Sequence, residues 1–336
     1  MVVVTHQSAT HLPSLLEALA GQLRDADELV IVDNASTDGT PAVARSLDER
    51  TTVIEAGENL GFAGGCHVGA GATRAPLLLF LNPDSVPQPE CLELLRDAAC
   101  AHPDWGAWQA AVLLGDGRIN TSGGVVHYLG IGWAGDCERP LSALPAVDRE
   151  IAFPSGAAMV VRREAWVALG GLDRDYFMYG EDLDLGLRLW LAGHRVGFVP
   201  AARVSHSYEF DKGLAKWFWL ERNRWRTVLS VYPTALLALV MPALLAAEIG
   251  LLAIAAREGW LRAKLRAQAA TLGGLPQTLA RRRAVQGERR IDAREFAGHL
   301  TASLESPYLA AANRPWLSVP QAIYWRLVRQ ALSLRH

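Results

Sequence analysis

Cysteine is scarce. The 336-residue chain holds four, Cys66, Cys91, Cys100 and Cys137, and no two of them form a CxxC pair. That argues against a structural zinc site, gives no disulfide framework and points to a reducing compartment. Two phosphate-binding signatures are also missing. No GxGxxG opens a helix after the first strand-like run, and no GxxxxGK[ST] occurs anywhere, so neither a Rossmann cofactor site nor a P-loop is expected. The opening MVVVTHQSATH reads as a strand, without the charged n-region and long apolar h-region of a signal peptide. There is no internal repeat and no low-complexity tract. Net charge is small, −2, but nine basic residues and two acids lie between positions 257 and 290, leaving the remainder at −9. This split suggests an acidic catalytic body and a basic segment for an anionic surface.

What is present is an alternation of short apolar runs and helical patterns over the first 115 residues. Val2 to Val4, Leu29 to Val32, Val53-Ile54 and Leu77 to Leu81 read as strands, the last fully apolar and therefore central. Leu12, Leu15, Leu16, Leu19 and Leu23 fall at helical spacing behind Pro13. Thr40-Pro41 reads as an N-cap followed by proline, opening a helix to about Glu49. Strands alternating with helices imply a parallel α/β sheet. Residues 115–155, rich in glycine and turns, read as an irregular or antiparallel insertion. Further on, Met159 to Val161, Val196 to Val199 and Val204 to His206 read as strands, 181–192 as a helix stopped by Gly193, and 212–231 as a Trp-rich helix.

Residues 234–256 form an apolar run with a single charge, Glu248. Its length is enough to span a bilayer. Pro242 is expected to divide it into halves too short to cross, and basic residues flank both sides, Arg222, Arg224 and Arg226 before and the basic segment after. A segment lying on or dipping into the inner leaflet fits both flanks better than a span; a buried helix of a soluble protein or an oligomer contact is the remaining alternative.

In open parallel sheets, ligands bind beyond the carboxyl ends of the strands. Asp33-Asn34 follows the second strand and Asn82-Pro83-Asp84 the fourth. Asp33 is either an Asx-turn residue in DNASTDG or an acceptor for a ligand donor such as a nucleobase N–H. Asp84 is either part of a proline-broken turn or a hard oxygen ligand for Mg2+ or Mn2+ on a diphosphate. The glycines of Asn59 to Gly65 are read as letting backbone or a helix approach the ligand closely. Glu181, Asp182 and Asp184 precede a helix, so a charged cap, a metal site and an enzymatic base are all open. Asp184 and Arg188, four apart, suit a structural pair. His206 follows a strand and reads locally as a satisfied structural residue. Lys216, Arg222 and Arg224 either face phosphates of a lipid-linked acceptor or solvate a helix, and Trp217, Phe218, Trp219 and Trp225 either pack or sit at a membrane interface.

Seven stretches in order, MVVVTHQSA, VDNASTDGT, NLGFAGGCHVGA, LLLFLNPDSV, PSGAAMVVRREAW, GGLDRDYFMYGEDLDLGLRLW and RVSHS, closely resemble family 2 glycosyltransferases, most of all the bacterial branch with rhamnosyltransferases and galactofuranosyltransferases. The resemblance covers roughly residues 1–230. It implies a GT-A fold, an α/β architecture with a mostly parallel central sheet, followed by a helical region at 231–336 with its apolar segment at 234–256 and basic segment at 257–290. It also implies a nucleotide-diphosphate sugar donor, such as a dTDP- or UDP-sugar, a divalent Mg2+ or Mn2+, and inversion at the anomeric carbon. By position, Thr5, Asp33, Asn34, Gly61, Asn82 and Asp84 belong to the donor site and Asp84 and His206 to the metal; Asp182 is the base, Glu181 belongs with it in the catalytic pair, supporting the base or binding the acceptor, and Gly156 lies toward the acceptor. Two positions depart from the pattern. The family's Asp-x-Asp begins here with Asn82, leaving one carboxylate for the metal, and His67 stands where relatives often have Asn.

An inverting transfer needs a carboxylate to take the proton of the attacking hydroxyl, and positive charge where the diphosphate leaves. These lie on opposite sides of the reacting carbon, so distant parts of the chain supply them. The expected function is therefore transfer of a sugar, rhamnose by resemblance, to a lipid-linked or polysaccharide acceptor in envelope glycan synthesis. The expected place is the cytoplasm, peripheral or monotopic at the inner leaflet, with no nucleic-acid partner. A nucleotidyltransferase making the nucleotide sugar is the alternative enzyme, disfavoured because residues 5–24 hold no Gly-rich basic loop; a non-catalytic sugar-nucleotide binder is disfavoured by intact Asp33, Asp84 and Asp182.

Overall fold

The computed structural model describes residues 1–46, 51–207, 213–305 and 315–334. The chain begins with alternating strands and helices: β1 (Val2–Thr5), α1 (Leu12–Ala20), β2 (Leu29–Asp33), α2 (Thr40–Arg45), β3 (Thr51–Glu55), α3 (Gly61–Gly71) and β4 (Leu77–Leu81). There follow β5 (Ser85–Pro87), α4 (Cys91–Ala101), β6 (Trp105–Leu114), and the short strands β7 (Ile119–Thr121), β8 (Gly124–Val126), β9 (Gly132–Ala134) and β10 (Arg149–Glu150) of the insertion. Then come β11 (Ala158–Arg162), α5 (Arg163–Ala168), α6 (Glu181–Leu191) and β12 (Arg195–His206). Among the described residues there follow α7 (Ala215–Val231), α8 (Thr234–Arg257), α9 (Leu261–Gly273), α10 (Leu275–Gly287), α11 (Ala293–Ala297) and α12 (Pro315–Ser333).

The chain divides into two compact units. The first holds residues 1–124, 134–189 and 194–208, and the second 125–133, 190–193 and 209–336. The first unit is built on a sheet of order β10-β12-β6-β11-β4-β1-β2-β3. β4, β1, β2 and β3 run parallel, as their alternation with helices predicts. β11 runs antiparallel between β4 and β6, because it is reached through the insertion rather than through a crossover helix. β12 returns parallel to β6, with a register shift between Val199 and Arg203, so the two expected C-terminal strands are one bent strand.

Alternation within β1 sets the layers. Val3 and Ile31 point to a core shared with Leu12, Leu15, Leu16 and Leu19 of α1 and Leu92 and Leu95 of α4. Val2 and Val4 point the other way and meet α3, where a Cβ on Gly69 would lie 2.3 Å from Val2 and one on Gly65 2.5 Å from Val4. These two glycines therefore let α3 lie flush on β1 rather than approach a ligand.

Two local readings are corrected. Thr40 is not the cap of α2; Gly39, at φ 88°, occupies that place, and the Thr40 hydroxyl instead accepts from the Ser8 N–H and donates to Asp38. The expected end of this helix near Glu49 and the start of α7 at residue 212 lie outside the described residues. Pro242 does not divide the apolar run: α8 continues through it as one 24-residue helix, since a proline forfeits one backbone bond and several flanking turns hold the rest.

The second unit packs Val228, Val231, Tyr232, Leu236, Val240, Leu244 and Phe296 around an unusual polar centre. Arg224 pairs with Glu221 (3.0 Å) and Glu248, and Lys264 with Glu248 (2.7 Å) and Glu221. Gln268 and Trp225 donate to the Glu248 carboxylate at 2.9 and 3.2 Å. Arg224 is thus buried and paired, and neither faces solvent nor offers itself to an acceptor phosphate.

Candidate active site

The strand register gathers the predicted residues at one rim. Thr5 lies beside Asp33 at the carboxyl ends of β1 and β2. Leu81, the last residue of β4, pairs with Ala158, the first of antiparallel β11, and the Asn82 N–H donates to the Ala157 carbonyl at 3.3 Å, so Gly156 lies at the end of β4 where Asn82 begins. His206, ending β12, pairs with Ser85. All the proposed donor, metal and base residues therefore meet where parallel sheets bind ligands.

Asp33 is buried, and each of its oxygens has one protein donor, which leaves further acceptor capacity. Oδ1 accepts from the Thr5 hydroxyl at 3.1 Å and Oδ2 from the Ser36 N–H at 2.9 Å, which is the Asx-turn geometry of its local sequence. Asn34 donates through Nδ2 to the Gly61 carbonyl at 2.9 Å, and its buried Oδ1 has no partner. An orphaned acceptor in a buried cleft is costly unless a ligand donor meets it. Gly61 has φ 70°, and a Cβ there would meet the Phe177 carbonyl oxygen at 2.3 Å, so only glycine fits.

At the end of β4, Asp84 Oδ1 lies 3.2 Å from His206 Nε2. Asn82 Nδ2 stands 3.5 Å from the same nitrogen, and His206 Nδ1 stands 3.4 Å from Asn120 Oδ1. Asn120 had no sequence signal: it lies in the turn-rich insertion, where no periodicity marks it. An Nδ1–H directed at that oxygen would leave the Nε2 lone pair for a cation beside the Asp84 carboxylate. Among the described residues no three His, Cys, Asp or Glu side chains converge. One carboxylate and one imidazole fit a Mg2+ or Mn2+ whose remaining positions are filled by substrate phosphates and water.

Across the rim, Asp182 is the second residue of α6 and partly exposed. Its Oδ2 accepts from the Gly156 N–H at 3.1 Å and its Oδ1 from the Leu183 N–H at 2.7 Å. Burial raises its pKa above the ordinary aspartate value, against the pull of those backbone donors. Glu181 is more deeply buried, and its Oε2 has no partner. Burial, then the charges of Asp182 and Asp184, push its pKa up to about 8, so at neutral pH it holds its proton. Asp184 is separate: it takes Arg188 at 2.7 Å and the Tyr176 hydroxyl at 2.9 Å, while Arg188 also donates to the Leu169 and Gly171 carbonyls. The structural pair expected from their spacing is present and buried.

The chain ahead of α6 is strained. Phe177 has φ 62° and ψ −65°, a γ-turn closed by Met178 N–H to the Tyr176 carbonyl at 2.7 Å, and Tyr179 has φ 66°. Such backbone persists only when its surroundings hold it. Here Ala63 N–H donates to the Phe177 carbonyl at 3.3 Å, tying the start of α3 to the approach to Asp182. His67 is taken up by the Leu172 carbonyl at 2.5 Å and packs on Trp166.

With this geometry in view, comparison with known proteins is decisive. The profile of "Glycosyl transferase family 2" matches residues 1–123, and that of "Glycosyl transferase family group 2" matches residues 77–261, more than half of the chain. The chain belongs to glycosyltransferase family 2. This glycosyltransferase is 31% identical over 239 residues to the N-acetylglucosaminyl-diphospho-decaprenol L-rhamnosyltransferase of Mycobacterium tuberculosis, across 63% of this chain and 77% of that protein, and so is related to the rhamnosyltransferase branch. Its fold is the GT-A fold. S. aureus TarS 1-349 in complex with UDP superposes with a TM-score of 0.51 at 14% identity, over 100% of this chain and 91% of that one. GalNAc-T7 with UDP, GalNAc and Mn2+ superposes at 0.57 with 15% identity, over 69% of this chain and 48% of that one.

Proposed function

We propose that this glycosyltransferase transfers a sugar, rhamnose foremost, from a nucleotide-diphosphate donor to a lipid-linked acceptor with inversion, at the cytoplasmic face of a membrane. The observation that carries the reading is the meeting, on one sheet rim, of a carboxylate suited to be a base with an Asp–His pair suited to a divalent cation. The mycobacterial relative, whose name gives a decaprenol-linked N-acetylglucosaminyl acceptor and an L-rhamnosyl group, supports the choice of sugar and acceptor.

In this reading Asp182 takes the proton of the attacking hydroxyl. Its raised pKa makes it a stronger acceptor than an exposed aspartate, and two backbone N–H groups fix its aim. Gly156 supports the acceptor site through that contact: its N–H holds the base, and a Cβ there would press on the Phe62 ring at 2.8 Å. Glu181, neutral, lies under the base and limits the negative charge beside it. Asn34 Oδ1 and Asp33, oriented by Thr5 and Ser36, receive donor N–H groups of the nucleoside, while Gly61 fixes Asn34. Asn82, Asp84 and His206 lie at the diphosphate. Asp84 and His206 would hold a divalent cation, which would supply positive charge where the diphosphate departs.

The test is nucleotide release from a panel of UDP-, dTDP- and GDP-sugars with Mn2+ or Mg2+ and a polyprenyl-diphospho-N-acetylglucosamine acceptor. Acceptor-dependent release with one donor class is expected. Nucleotide binding without release from any donor would contradict the reading and favour a non-catalytic binder; formation of a nucleotide sugar from a nucleoside triphosphate would favour a nucleotidyltransferase.

A further inference from the structure

The helical unit carries an outer surface that its own packing leaves uncovered. α8 buries a single stripe, Leu236, Val240, Leu244 and Glu248, four residues apart. Its other side exposes Leu245 (57%) and Ile249 (73%), and its C-terminal end exposes Ile254. α12, pinned to α8 by the Tyr324 hydroxyl donating to the Leu239 carbonyl at 2.7 Å, exposes Val319, Ile323 and Leu327, again four apart. α9 exposes Leu265 and Leu272. So many large apolar side chains on neighbouring helices exceed what a free soluble surface carries.

Charge selects the partner. Arg257, Arg262, Arg266 and Arg283 are exposed on the ends and outer faces of α8, α9 and α10. Half-buried rings adjoin the cations: Trp217 stacks on the buried Trp260 at 4.6 Å, and Arg266 lies over Phe218 at 5.6 Å. Exposed apolar rows beside exposed basic side chains are the composition of a surface for anionic lipid. A second copy of the chain would oppose one basic segment to another.

The buried ionic cluster fixes the mode of contact. α8 is long enough to cross a bilayer. A crossing would carry Glu248 into hydrocarbon, either with Arg224 of α7 and Lys264 of α9 or torn from them. Neither fits, because isolated charges are expelled from the bilayer core and one member of a buried ionic group cannot be removed cheaply.

We propose that the helical unit docks on an anionic bilayer through the outward faces of α8, α9 and α12, with α8 lying in the plane of the interface and held there by the Glu221–Arg224–Glu248–Lys264 cluster. The inference rests on the proposed function for its purpose, since a lipid-linked acceptor is met at a membrane, and its test is separate.

Flotation of the full chain with sealed vesicles is the experiment. Strong binding to an equal mixture of phosphatidylcholine and phosphatidylglycerol, weak binding to phosphatidylcholine alone and release by salt are expected. The double variant Leu245→Glu, Ile249→Glu should lose vesicle binding at least tenfold, with unchanged thermal unfolding and unchanged Mn2+-dependent UDP binding. In a Cys100→Ser background, Ala235→Cys and Ala256→Cys on bound protein should both react with an impermeant maleimide from the outside. Labelling of only one end would establish a span and overturn the in-plane placement. Failure to bind either vesicle, or a dimer that the double variant dissociates, would overturn the docking face. Vesicle binding by a protein that transfers no sugar would support the docking face and sink the proposed reaction.

Discussion

Asp182 and Glu181 are neighbours with opposite surroundings. Asp182 is partly exposed and takes two backbone N–H groups; Glu181 is buried with an orphaned oxygen. The folded pKa of Glu181, about 8, stands above its ordinary value of 4.5. Between those two values the native state binds a proton that the unfolded state has lost, so stability falls as pH rises through that window. Glu181→Gln removes the titration and keeps the shape. Its melting temperature relative to the wild type is expected to rise from about pH 5 to about pH 8 and then level off; a constant difference across that range would show that Glu181 is ionised in the fold. At the metal pair, Asp84→Ala and His206→Ala are each expected to weaken UDP binding with Mn2+ by about tenfold or more and to leave binding in chelator unchanged, as read by calorimetry. The places of Asp33, Asp84 and Asp182 in the fold were legible because strand ends and a helix start are marked by local pattern. Asn120 and the Gly156 N–H were not, because a side chain in an irregular insertion and a backbone donor leave no periodic trace.

At the scale of elements, the first four strands, α1 and α6 follow from apolar spacing, proline placement and Gly193, which takes φ 81° beyond α6. Misreadings arose where a residue's partner is distant in sequence. Gly65 was read as letting the chain approach a ligand, but with Gly69 it seats α3 on Val4 and Val2. Arg224 looked like an exposed flank but is neutralised by Glu221 and Glu248, the latter on the next helix. Gly69→Ala places a methyl 2.3 Å from Val2 and should cost about 1–3 kcal/mol by overpacking, lowering the urea midpoint of the first unit; an unchanged midpoint would mean that α3 has room to move. Glu248→Ala leaves Arg224 and Lys264 buried around a missing carboxylate, and a loss of about 3–5 kcal/mol from the helical unit is expected, read as a lower unfolding temperature.

For the whole molecule, one sheet edge collects residues from position 5 to position 206, and a helical unit carries an apolar and basic surface. The first was readable as an ordered set of motifs, the second as an apolar run followed by a basic one. The central claim is that Asp182 deprotonates the acceptor while donor binding depends on other residues. Its most direct test is a single-turnover transfer assay on Asp182→Asn with donor occupancy measured in the same sample. The account predicts donor binding close to wild type and transfer slowed by about 10²–10⁴-fold. Transfer at near the wild-type rate with full donor occupancy would contradict it.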